Sequence, residues 1–291
     1  MKTYKGSSQA QANRTQALWE NLERIRAEQP LVHNITNYVV MNTTANALLA
    51  VGASPVMAHA IEEVEEMVGL ARSLVVNIGT LSTPWIQAML QAGRIARQRG
   101  IPIILDPVGC GATRFRAAAA LELIHETAPT IIRGNASEIR ALAGRATGQK
   151  GVDSSHSSGE VVHEAQLLAA STGSVVSVSG PVDWIVNSQR AIRIANGHPL
   201  MARVTGMGCT ASALTGAFAA VHPQAIDAAV HAMAAIGVAG EIAAERAAGP
   251  GSFQMHFLDA LHGLEEAEVS RRLKLEEETA GAEPNETGGR R

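Results

Sequence analysis

The run Val204-Thr205-Gly206-Met207-Gly208-Cys209-Thr210-Ala211-Ser212-Ala213 sets two glycines and a cysteine at the mouth of an alanine-rich segment that reads as a helix. Glycines there let the backbone approach a ligand closely and take positive φ where a turn needs it. A helix starting at this point aims unpaired N–H groups and the positive end of its dipole at one spot. Such a spot holds an anion, most often a phosphate. Cys209 falls in the first turn, where a thiolate is stabilised. An anion cradle beside a polarised thiol suggests group transfer. The plainer alternatives are a tight turn before a helix and a buried structural thiol. The run is not a dinucleotide fingerprint, because the third glycine position holds Ala211 or Ser212. Nor is a P-loop present: in Gly144-Arg145-Ala146-Thr147-Gly148-Gln149-Lys150 the lysine has the wrong spacing. Any ATP chemistry here would proceed without one.

The elements that must position this turn follow from the apolar pattern. Leu74–Gly79, Ile101–Asp106, Thr130–Asn135 and Ser174–Gly180 are short, β-branched and apolar on both faces, as strands of a parallel sheet are. Pro84–Arg99 reads as a helix between the first two. Trp184–Val186 and Ala191–Ile194, joined by Asn187–Arg190, read as a hairpin at a sheet edge. From Thr210 on, three helical segments follow with little strand signal. Strand–helix alternation predicts an α/β fold, a single doubly wound domain with a mainly parallel central sheet flanked by helices. Ligands in such folds bind at the carboxyl ends of the strands. Those ends carry Asn77 and Gly79, Asp106, Arg133 with Asn135, Ser179 and the Gly206–Cys209 turn, with Glu138 close by. Taken singly, Arg133 reads equally as a surface ion pair, Glu138 as a first-turn charge favoured by the helix dipole, and Met57 as core.

Composition narrows the function classes. The chain has 291 residues, 46% hydrophobic and 18% charged, with a formal net charge of -3. It can bury a large core, and neither its charge nor its 3% aromatic content favours nucleic acid. Met1–Gln16 is polar and shows no signal-peptide core. The most apolar stretch, Ala225–Ala244, is interrupted by Asp227, His231 and Glu241, which fits a buried helix better than a membrane span. Two cysteines, Cys110 and Cys209, imply a reducing, cytoplasmic setting rather than a disulfide framework. Residues 1–16 read as a disordered tail, 17–266 as the domain, and 267–291 as a charged, disordered tail. His33 reads as a structural hydrogen-bonder, Cys110 as a packing residue, and His156 and His163 as surface positions.

Read in order, further motifs join these: Pro30-Leu31-Val32-His33-Asn34-Ile35-Thr36-Asn37, Asn42-Thr43-Thr44-Ala45-Asn46, Gly52-Ala53-Ser54-Pro55-Val56-Met57-Ala58 and Asn77-Ile78-Gly79-Thr80-Leu81. They continue with Leu105-Asp106-Pro107-Val108-Gly109, Ile132-Arg133-Gly134-Asn135-Ala136-Ser137-Glu138-Ile139, Lys150-Gly151-Val152-Asp153-Ser154 and Gly206-Met207-Gly208-Cys209. From Pro30 to about Leu264 this set resembles the hydroxyethylthiazole kinase family of the ribokinase-like superfamily. The resemblance implies a thiamin-salvage kinase that phosphorylates the alcohol of 4-methyl-5-(2-hydroxyethyl)thiazole with ATP and Mg²⁺. It also implies a homotrimer with sites between subunits. By the same resemblance, Met57 and Gly206 match substrate-contacting positions, and Asn34 and Thr36 belong to the motif beside that pocket. Arg133 and Ser179 match ATP-contacting positions, with Asn135 and Gly208 adjoining them. Asp106 and Glu138 match the acidic positions associated with Mg²⁺ and phosphate. Cys209 matches the position where other ribokinase-like enzymes carry an aspartate base. Met207 departs from the smaller residue usual there, but its N–H remains available. Rival readings are a hydroxymethylpyrimidine kinase, a nucleotide-repair dehydratase, a non-catalytic sensor and a thiol-acyl enzyme. The Gly-X-Gly-Cys turn favours the thiazole enzyme.

Overall fold

A computed structural model describes residues 8–146 and 158–279. The motif Lys150–Ser154, His156 and the lysine of the P-loop near-match lie outside the described residues. Helix α1 (Ser8–Glu28) leads into β1 (Leu31–Ile35), α2 (Met41–Val51), β2 (Ser54–Val56), α3 (Val64–Leu70) and β3 (Ser73–Asn77). Then come α4 (Thr83–Gln98), β4 (Ile103–Asp106), α5 (Arg114–Thr127), β5 (Ile131–Asn135), α6 (Ala136–Ala146), α7 (Ser158–Thr172) and β6 (Val175–Ser179). The hairpin β7 (Asp183–Val186) and β8 (Arg190–Ile194) and a 3₁₀ turn (Pro199–Arg203) precede α8 (Met207–Val221). The chain continues through α9 (Ala225–Arg246), α10 (Pro250–His262), α11 (Glu266–Arg272) and β9 (Leu275–Thr279).

These strands form one nine-stranded sheet in the order β2-β1-β3-β4-β5-β6-β7-β8-β9. Pairing is parallel from β2 to β6 and antiparallel from β6 to β9. The fold is the expected α/β domain with a mostly parallel sheet between helices. Alternating strand residues feed two cores, because successive side chains face opposite sides. Val75, Ile104 and Ile131 pack with α1, α8 and α9 on one face; Leu74, Val76, Ile103, Leu105 and Ile132 pack with α4 and α5 on the other. Helix α8 lies close on the sheet because Gly216 carries no side chain. A Cβ there would sit 2.7 Å from Val75 Cγ2 and 3.2 Å from Val32 Cγ1. Helix α9 is long and apolar enough to cross a membrane, yet 83% of its most apolar window is buried in the fold, so it is a core helix as expected.

Three expectations are corrected. The domain begins before residue 17: α1 is helical from Ser8, and Gln11 Nε2 donates to Leu273 O at 3.0 Å. It also runs beyond 266, since residues in the expected C-terminal tail form α11 and β9. The hairpin strand β8 is therefore not the sheet edge, because β9 pairs alongside it from Ile194↔Leu275 to Arg190↔Thr279. The physical reason is charge matching. The acidic run of β9 looks like solvated tail in isolation, but Glu277 pairs with Arg190 at 2.7 Å and Glu276 with Arg193 at 2.8 Å across the ladder. Exposed pairs of this kind contribute little each; they make a polar strand compatible with pairing, and the backbone ladder does the rest.

Candidate active site

The parallel strands deliver their carboxyl ends to one rim of the sheet. A cavity of about 950 Å³ opens there, lined by Asp106, Arg133, Asn135, Glu138, Ser179, Gly206, Gly208 and Cys209 among others. Eight of the residues singled out from sequence thus share one space. Met57, Asn34 and Thr36 do not line it. Met57 is half-buried just past β2, on the far side of β1. Thr36 is buried, and Asn34 is fully buried with its Nδ2 donating to Val32 O at 2.9 Å. The Asn34 amide nitrogen is engaged with its own strand, while its Oδ1 is buried without a hydrogen-bond partner.

The glycine turn before α8 forms as expected. Gly206 is left-handed, at φ 81°, and caps α8, whose first residues are Met207, Gly208 and Cys209. A side chain at 206 would be strained by this φ and would meet Val40 Cγ1 at 2.6 Å. Gly208 is required for a different reason: a Cβ there would lie 2.6 Å from Arg133 Nη1. The guanidinium of Arg133 is pressed against the backbone of the turn. Arg133 is only 6% exposed, and its Nε is buried with no hydrogen-bond partner. A buried cation left short of acceptors is expensive unless something anionic completes it.

Two carboxylates face this cation. Asp106, at the end of β4, is 1% exposed; its Oδ2 accepts from Asn77 Nδ2 at 2.8 Å and Ser212 Oγ at 2.7 Å. Burial pushes its acid up to about 6, against the opposing pull of Arg133 and the Ser212 hydrogen bond. Asp183, at the start of β7, is also pushed up to about 6 by burial, with the Gly180 N–H and Arg133 pulling it down. Glu138 is held differently. Its Oε2 accepts from Asn135 N at 2.8 Å while Asn135 Oδ1 accepts from Glu138 N at 3.0 Å, a reciprocal cap on α6. Its Oε1 accepts from Gly109 N at 2.9 Å. The first-turn reading of Glu138 and its place in the cavity wall are therefore both correct. Arg116 ties the loops together, donating to Ile78 O, Val108 O and Gly79 O at 2.8, 2.7 and 2.6 Å.

The expectation of an acidic Cys209 is overturned. Burial, then the Asp106 carboxylate, push its thiol up to about 11, outweighing hydrogen bonds from Asn77 and Asn37 and the charge of Arg133. A helix N-terminus lowers a thiol only where the charge is not also desolvated beside a carboxylate. Cys209 is a neutral thiol at neutral pH. Sequence reasoning missed Asn37, Ser212, Asp183 and Arg116. Ser212 had a signal, since it stands three residues after Cys209 on the same helix face. Asp183 had none. His33 is a buried hydrogen-bonder to Ala58 O at 2.7 Å, as expected, and Cys110 is a buried thiol as expected.

The sequence profile of the hydroxyethylthiazole kinase family matches residues 22–267. The chain belongs to the hydroxyethylthiazole kinase family. Proteins named hydroxyethylthiazole kinase in Syntrophus aciditrophicus and Oleidesulfovibrio alaskensis are 58% and 54% identical to it, spanning 88% and 89% of this chain and 96% and 97% of theirs. The structure of hydroxyethylthiazole kinase protein from Pyrococcus horikoshii OT3 is 45% identical with a TM-score of 0.85, over 90% of this chain and 99% of that one. A pyridoxal kinase from Staphylococcus aureus, 15% identical with a TM-score of 0.59 over 86% of this chain and 98% of its own, shares the fold alone.

The raised acid of Asp106 has a consequence for stability. A carboxyl whose folded pKa, about 6, exceeds its ordinary value of 3.8 holds its proton more tightly in the folded state. The folded state is favoured by that proton below the ordinary value, and the advantage is lost as pH rises through 6. Asp106→Asn should therefore be more stable than the parent at pH 8, by on the order of 1–3 kcal/mol, with the gap closing toward pH 4. Urea titrations at both pH values check this; a variant less stable at pH 8 would show that Asp106 is retained for the fold.

Proposed function

We propose that this protein transfers the γ-phosphoryl group of ATP to the hydroxyl of 4-methyl-5-(2-hydroxyethyl)thiazole in thiamin salvage. Family membership supports the reaction. The observation that carries the site is the buried, incompletely partnered Arg133 guanidinium packed on the Gly206–Cys209 turn. Phosphoryl transfer needs positioning and charge neutralisation more than covalent chemistry. Arg133 would clamp nucleotide phosphate oxygens, and the amides of Met207, Gly208 and Cys209 would hold the transferring group. Ser179 and Asn135, on the wall beside Arg133, would contact the nucleotide. Gly206 would lie against the thiazole, and Met57, which does not line this chain's cavity, would meet the apolar part of a thiazole shared with a neighbouring subunit.

Asp106 and Glu138 fit Mg²⁺ held through its waters. Each is a hard oxygen donor, yet Asp106 Oδ2 and both Glu138 oxygens are already engaged by protein donors. Mg²⁺ commonly uses one or two carboxylates and substrate phosphates rather than a full protein cage. When bound, it would neutralise charge on the nucleotide phosphates. Cys209, a neutral thiol, would meet the alcohol oxygen and hold it in line for attack, since the alcohol loses its proton late.

We further propose a homotrimer with shared sites in the reducing cytoplasm. Both cysteines are free, and Tyr38 and Val39, next to Asn37, are 65% and 64% exposed, an apolar surface beside the cavity for a neighbouring subunit to cover. Light scattering should give a trimer; a fully active monomer would contradict this.

Incubation with ATP, Mg²⁺ and the thiazole alcohol should yield the phosphorylated thiazole by mass spectrometry. Turnover of a pyrimidine alcohol with no thiazole product would replace this reading with a rival. In the same assay Cys209→Ala should lose about tenfold in kcat and remain folded, the order of one neutral hydrogen bond made at the reacting atom. Cys209→Ser, which keeps a hydrogen-bonding group, should retain more activity than Cys209→Ala. A serine variant as poor as alanine, with a parent rate still climbing above pH 9, would instead make the thiolate the base.

A further inference from the structure

Asn37 follows β1 and is 4% exposed. Its Nδ2 donates to Asn77 Oδ1 at 2.9 Å and to Cys209 Sγ at 3.4 Å. Its orientation is not free, because Asn37 Oδ1 accepts from Val39 N at 3.1 Å. Asn77 is fixed the same way: its Oδ1 also accepts from Gly79 N at 2.9 Å, so its Nδ2 is the end that donates to Asp106 Oδ2. Two backbone N–H groups therefore set the direction of both amides. Space for this arrangement is kept by Gly79, where a Cβ would fall 2.5 Å from Asn37 Nδ2.

We infer that Asn37 is a positioning residue that fixes the Cys209 thiol, and through Asn77 sets its spacing from Asp106. This rests on the proposed role of Cys209. Because Asn37 can only donate toward Sγ, the sulfur must present a lone pair on that side and turn its hydrogen elsewhere. Rotation about the Cβ–Sγ bond is thereby restricted. Asn77 lies against the thiol as well; amides do not relay protons at neutral pH, so the link Cys209–Asn37–Asn77–Asp106 carries orientation and no proton. The loop after β1 and the loop after β3 meet through it, directly in front of the first turn of α8.

A double-mutant cycle tests the inference. Asn37→Ala should lower kcat about tenfold, the order of one hydrogen bond, with the KM for ATP unchanged. In the Cys209→Ala background the same substitution should change kcat less than about twofold, since a residue acting through the thiol has nothing left to act on. Asn37→Asp, of the same size, should fall at least as far as Asn37→Ala, because its carboxylate takes the thiol hydrogen and reverses the contact. Melting temperatures of all variants separate loss of fold from loss of position. Equal losses in both backgrounds, or an Asn37→Asp variant as active as the parent, would overturn the inference. A Cys209→Ala variant with full activity would instead remove the role of Cys209 on which it rests.

Discussion

The site depends on a guanidinium that the fold buries and does not finish pairing. Arg133 sits in the middle of the parallel strand β5, lies on the bare backbone of Gly208 and leaves its Nε without an acceptor. Asp106 and Asp183 offset its charge at a distance, and both have their acids raised by burial. Burial disfavours the ionised form of both carboxylates, and neither makes a close ion pair with Arg133. Such an arrangement persists in a folded protein when an anion and its counter-charge complete it. Gly208 follows from that need, since a side chain there would meet the Arg133 guanidinium, while Gly206 supplies the left-handed turn that starts α8.

Sheet topology explains why these groups meet. The chain leaves β1 for β2 on one side and then returns to β3 on the other, so the strand order reverses around β1. The loops leaving β1 and β3 at that reversal are held together by Asn37 and Asn77, and the crevice opens beside them, along the carboxyl ends of β4, β5 and β6, where doubly wound folds bind ligands. Asn37 and Asn77 occupy those two loops, and Cys209 faces them from α8. Arg116 ties the β3 and β4 loops through three backbone carbonyls, so the crevice has a braced floor.

Strands β3 to β8, the glycine turn before α8 and most polar strand ends were legible in the sequence because each has a local cause: β-branched apolar runs, a glycine pair before an alanine-rich helix, and charged residues where an apolar run stops. What was not legible depends on partners distant in the chain. The acidity of Cys209 reads one way from helix position and the other once burial, and then the Asp106 carboxylate from a strand distant in the chain, act on it. The segment around β9 looks solvated until Arg190 and Arg193 appear opposite its glutamates. Asn37 sat inside a motif already singled out, but only tertiary structure shows that it, rather than Asn34, reaches the thiol.

If Arg133 is held for nucleotide phosphate, ligand binding should stabilise the fold through that residue. The most direct measurement is the melting temperature with and without a non-hydrolysable ATP analogue and Mg²⁺, for the parent and for Arg133→Met. The parent should gain stability with ligand concentration as a specifically bound ligand requires. The variant, which keeps the apolar stem but not the charge, should show that gain only at concentrations about ten- to a hundredfold higher, the loss of one charge-assisted contact. Equal ligand-induced shifts in the two proteins would contradict the assignment of Arg133 and of the cavity it lines.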